Sequence, residues 1–181
     1  KGQEQEYYIG IYGKGSNILN SGFITDKATD DGLNYSQRAI GIYAENDKIN
    51  GVSVGKVTNN GTIVLGTGGS AIITRGRNST DKITLISTGE ISVAGNQTNQ
   101  GLGFTLENTD AVISDKINLA GENTIGIYGN NSTIEVGSLE INGNNIKKSI
   151  GIAADTSELK IKDGVTINLL NGDNNIGIYG D

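Results

Sequence analysis

Tyrosines and carboxylates are the side chains of this 181-residue chain with the most chemistry to offer. Tyr12, Tyr43, Tyr128 and Tyr179 each follow Ile-Gly-Ile. A row of exposed rings can stack on a sugar or anchor a protein partner. The second candidate group lies in the longest polar break, Asp26 to Arg38. There Asp26, Asp30 and Asp31 could gather a Ca²⁺, and Tyr35 and Arg38 could meet a partner. The acidic spacing lacks the alternation of an EF-hand, so a solvated loop is the stronger expectation. These nine residues are the candidate ligand- or partner-binding set.

Other chemistries lack their residues. The chain has no His and no Cys, which removes Ser-His-Asp and Cys-His triads, thiolate metal sites and disulfides. Gly68-Gly69-Ser70 does not continue into a calcium-binding nonapeptide. Gly66 to Ser70 is glycine-rich but has no following Lys-Ser or Lys-Thr and no helix to hold a phosphate. Glu90, Glu107, Asp110, Glu135 and Glu140 are scattered, and no carboxylate pair is expected in register on adjacent coils of one face, as glycoside cleavage would need. They read as strand charges that discourage sideways association. A non-enzyme without metal or cofactor is expected. A net charge of −6 argues against nucleic acid, which calls for clustered Lys and Arg.

The element that positions the tyrosines is a repeat. Ile-Gly-Ile-Tyr-Gly occurs at Ile9–Gly13, Ile125–Gly129 and Ile176–Gly180, with looser copies at Ile40–Ala44, Leu102–Leu106 and Ile150–Ala154. A degenerate copy falls within Ala71–Thr74, ambiguous by one residue. Successive motif glycines stand 23 to 31 residues apart where neighbouring copies are clear, with a mean of about 28. That period belongs to solenoids and propellers. Within one period come three short alternating runs between Gly and Asn breakers, such as Ile125–Gly129, Thr133–Val136 and Leu139–Asn142. Alternation with β-branched residues predicts strands, and three of them in about 25 residues is one coil of a parallel β-helix rather than a four-stranded propeller blade.

The expected fold is therefore all-β: a right-handed parallel β-helix of about six coils, roughly 23–32 residues each, forming a single segment over 1–181 that is part of a longer array. With 35% hydrophobic and 5% aromatic residues, only a thin aliphatic core can be filled. Ile125, Ile127, Ile134, Val136, Leu139 and Ile141 are expected inside it, each contributing roughly 1.5–3 kcal/mol, with the motif Gly and Tyr outside. The variable links all precede the motif strand, so they should leave from one corner, a common place for a binding face. Asn-rich links could equally be turns that stack Asn over Asn.

The Ile-Gly-Ile-Tyr-Gly repeat, the Gly-Asn links and the absence of cysteine resemble the passenger region of large bacterial type V autotransporter adhesins, most closely the fusobacterial type. The resemblance implies a cell-surface, extracellular β-helix, secreted through an outer-membrane barrel that a longer parent chain carries. It also implies adhesion to a host surface protein or glycan, or to another bacterial surface, as stalk or as binding surface. The readings to set against it are a carbohydrate-active β-helix enzyme, lyase or hydrolase, and a purely structural spacer. No apolar run is long enough to span a membrane as a helix.

Overall fold

The computed structural model describes residues 8–26, 39–49 and 52–181. Among these there is no helix; the short β-branched runs form strands, and all but two of them pair in parallel with their counterparts in the neighbouring units. The chain visits three sheets in turn. The motif sheet holds seven strands: Ile9–Lys14, Ile40–Glu45, Ser70–Arg75, Gly101–Glu107, Thr124–Asn130, Ile150–Asp155 and Ile176–Gly180. The second holds six: Asn17–Asn20, Lys56–Asn59, Ile83–Ser87, Thr109–Ile113, Thr133–Val136 and Glu158–Ile161. The third also holds six: Phe23–Thr25, Thr62–Thr67, Glu90–Gly95, Lys116–Gly121, Glu140–Asn144 and Thr166–Leu170. The result is a β-solenoid with about three strands per coil.

Parallel stacking puts like above like. One apolar column from each sheet meets in the interior. In the motif sheet it runs Ile42, Ile72, Phe104, Ile127, Ile152; in the second, Val57, Leu85, Ala111, Ile134; in the third, Ile63, Ile91, Ile117, Ile141. All of these are buried. Short aliphatic side chains suffice because three sheets converge on a narrow axis, so the low aromatic content is no obstacle.

The motif strand departs from the expected alternation. Ile127, Ile134, Val136, Leu139 and Ile141 are inside as expected, but Ile125 is not: it faces outward and is half-buried, while Thr124 and Gly126 face in. Two inward residues in succession, Gly126 and Ile127, mark a bend, and the pairing skips the glycine at every coil. The glycine column is thus internal rather than external. A Cβ on Gly41, Gly126 or Gly151 would come within 2.5–2.6 Å of the carbonyl oxygen of the next residue in the column and against an isoleucine of the third sheet. Close backbone approach requires glycine here. Ala71 occupies this column, with Ile73 in the tyrosine column, which resolves the register of the degenerate copy.

The links from the third sheet to the motif sheet do share one corner, and their asparagines do both things expected of them. Asn123, Asn145, Asn171 and Asn174 take left-handed φ of 54° to 59°, which Asn tolerates, and Asn171 Nδ2 donates to Asn144 Oδ1 one coil away. Insertions also occur at a second corner. A hairpin pairing Asp47–Ile49 with Val52–Val54 projects between the motif and second sheets. It is tied to the following coil by Arg77–Asp47 at 3.2 Å and Lys48–Asp81 at 3.5 Å.

Between the second and third sheets lies a buried polar ladder. Asn20 donates to Asn59, Asn59 to Ser87, and Ser87 to Asp115 Oδ2 at 2.8 Å. Asp115 is 1% exposed, and its Oδ1 has no hydrogen-bond partner. Burial pushes its carboxyl up to about 7, against the pull of Ser87, the Gly89 N–H and Asn59.

Candidate binding face

The outer surface of the motif sheet gathers the tyrosines. Three columns point outward. The first runs Ile40, Ser70, Leu102, Ile125, Ile150, Ile176. The second is the tyrosine column: Tyr12, Tyr43, Ile73, Thr105, Tyr128, Ala153, Tyr179. The third is polar: Lys14, Glu45, Arg75, Glu107, Asn130, Asp155, with Asp181 next in line through its N–H to Ala154 O. The outer surface of the third sheet is built differently. Asn118 donates to Ser92 and Glu90, Asn142 to Glu140, and Asn168 to Asn142, so these polar groups bond to one another, while Phe23 and Leu170 stand exposed on the two end strands.

At the N-terminal end the tyrosine column is filled. Tyr12 and Tyr43 stack on neighbouring coils, centroids 5.7 Å apart and planes 18° from parallel. Tyr43 donates its hydroxyl to Glu45 Oε1 at 2.6 Å. Arg75 lies over the Tyr43 ring at 5.8 Å, donates to its oxygen at 3.0 Å and pairs with Glu107 at 2.7 Å. Burial, then the bond to Glu45, pushes the Tyr43 phenol up to about 12.

At the C-terminal end the column is interrupted. Ala153 stands between Tyr128 and Tyr179 and opens a cavity of about 270 Å³, lined by Ile125, Tyr128, Ile150, Ala153, Asp155, Tyr179 and Asp181. Its floor and one wall are apolar; its rim carries two carboxylates. Asp155 accepts hydrogen bonds from Thr156 at 3.0 Å and from Asn130 at 3.5 Å. Asp155 and Asp181 are a carboxylate pair in register on adjacent coils, which the scatter of acidic residues along the chain did not lead one to expect. The motif copies carry the signal: the polar column is always the second residue after the tyrosine position.

The four motif tyrosines thus share one column, with only Tyr12 and Tyr43 in contact. Asp26 belongs to the frame: both its carboxylate oxygens accept from the Gly66 N–H, at 2.9 and 3.0 Å, tying the start of the long link to the next coil. Asp30, Asp31, Tyr35 and Arg38 lie outside the described residues. Among the described residues no three acidic side chains converge as metal ligands would. No family model, no curated protein and no solved structure matches the chain.

Proposed function

We propose that this chain is a non-catalytic segment of a surface-displayed bacterial adhesin passenger that binds a partner through the outer face of its motif sheet. The observation that carries the reading is the contrast between faces: the motif sheet presents apolar and aromatic columns with a cavity between them, whereas the third sheet, apart from Phe23, Val64 and Leu170, presents polar groups that bond to one another along its later coils. An apolar strip rimmed by charge is the usual make-up of a recognition surface. The stacked coils serve equally well to hold that surface at a distance from the membrane.

Beads coated with the chain test this against host cells and against other bacteria. Binding should fall to background when Ile125, Tyr128, Ile150 and Tyr179 are together replaced by Ser. Undiminished binding would move the contact elsewhere, with Asp26–Arg38, replaced by a short Gly-Ser link, the next region to try. No binding by either protein leaves the spacer reading.

A second reading rests on Asp155 and Asp181. Their strands lie one coil apart, about 4.8 Å, close to the roughly 5 Å between the carboxyls of retaining glycosidases. New reducing ends or unsaturated products from polysaccharides, lost in Asp155→Asn, would establish an enzyme instead.

A further inference from the structure

We propose that the Ala153 cavity accepts a tyrosine side chain from the partner protein, whose ring takes the place missing from the tyrosine column. At the Tyr43 coil, a ring stacks on its neighbour and its hydroxyl reaches Glu45, the second residue along the strand. At the Ala153 coil the same geometry is present without the ring. Asp155 stands two residues on, as Glu45 does from Tyr43. Tyr128 and Tyr179 lie one coil to either side in the same column. Their strands stand two coil spacings apart, about 9.6 Å, which leaves room for one ring between them at a spacing usual for stacked aromatics. The 270 Å³ of the cavity exceeds the bulk of a phenol ring, and Ile125 and Ile150 supply its apolar wall.

Hydrogen-bond inventory selects tyrosine over phenylalanine. Asp155 already accepts from Thr156 and Asn130, but each carboxylate oxygen keeps a second lone pair, so a ring that brings a donor adds a hydrogen bond there, whereas a phenyl ring would screen the carboxylate from water without replacing the water's hydrogen bond.

This inference rests on reading the motif face as a partner-binding surface, but it is tested without cells. N-acetyl-tyrosinamide is titrated into the ¹⁵N-labelled chain, and the amides of Ala153 and Asp155 are followed with the ring signals of Tyr128 and Tyr179. Those signals should shift saturably, and several-fold less with N-acetyl-phenylalaninamide. Asp155→Ala should bring the tyrosine response down to the phenylalanine level. Ala153→Tyr, a residue the column already carries at four coils, should abolish it while leaving the amide spectrum of the second and third sheets unchanged. Equal responses to the two amides would overturn the proposal, as would binding that survives Ala153→Tyr. A larger response to N-acetyl-argininamide or to a methyl hexopyranoside would also overturn it and assign the cavity to a cation or a sugar. Loss of cell binding by the beads with these shifts intact would count against the adhesin reading alone.

Discussion

The Tyr43 and Ala153 coils are built on one frame and differ in what stands on it. At Tyr43 the column is occupied, and ring, arginine and two carboxylates consume one another's bonding capacity. At Ala153 the flanking rings and the carboxylates remain, but the middle ring is gone and a cavity opens. A repeat makes a site by omission: one small residue between two large ones in a column leaves a shaped hole whose walls the neighbouring coils supply. The same frame can therefore carry a closed stretch and an open one without any change in backbone.

The comparison breaks first if the assignment of inside and outside is wrong. Ile127→Asp should cost about 4 kcal/mol or more in a urea melt, because it places a carboxylate in a narrow apolar core. Ile125→Asp, two residues earlier and outward, should cost less than about 1 kcal/mol. Similar losses from the two would overturn the frame. The next test concerns the bend that both coils share. Gly126→Val should lose roughly 1–3 kcal/mol through overpacking against the Gly151 carbonyl. Gly177→Val, where an added Cβ meets nothing within 4 Å, should change stability by less than about 0.5 kcal/mol.

Asp115, away from the motif sheet, gives an internal standard that neither coil should affect. Its carboxyl is raised from 3.8 to about 7 on folding, so the folded chain holds a proton that the unfolded chain releases. Its contribution is fully present below about pH 4 and is lost as pH rises through 7. Thermal stability should therefore decline from pH 5 to pH 8. Asp115→Asn, which keeps a donor and an acceptor on the polar ladder, should flatten that decline and gain about 1–2 kcal/mol at pH 8. A flat profile in the unaltered chain would contradict the burial of this group. The smallest effect is spectroscopic. In an alkaline absorbance titration the Tyr43 phenol should ionise near pH 12, and Glu45→Ala should bring it back toward 10 by removing the hydrogen bond that holds its proton.

Much of the frame was legible in the chain. The period of about 28 residues, the three alternating runs and the Asn-rich links follow from local rules of strand and turn formation, and the columns of Ile, Val and Leu follow from repetition. The side on which the motif glycine lies was not legible. Simple alternation puts Gly126 opposite Ile125 and Ile127, and so outside. A bend turns it inward instead, and nothing local distinguishes a bent strand from a straight one; only contact between the Gly126 and Gly151 coils forces it. The hairpin pairing Asp47–Ile49 with Val52–Val54 escaped for a related reason, since short β-branched runs look alike whether they join the stack or project from it.

The candidate face divides the same way. Repetition alone determined that Tyr12, Tyr43, Tyr128 and Tyr179 share a column and that Thr105 and Ala153 interrupt it. Only the tertiary structure decided that the first Ile of the motif stands beside that column, that Asp155 and Asp181 rim the gap, and that Asp26 braces Gly66. These depend on which residues of different coils fall side by side, and that is settled by the packing of three sheets around one core rather than by any stretch of chain.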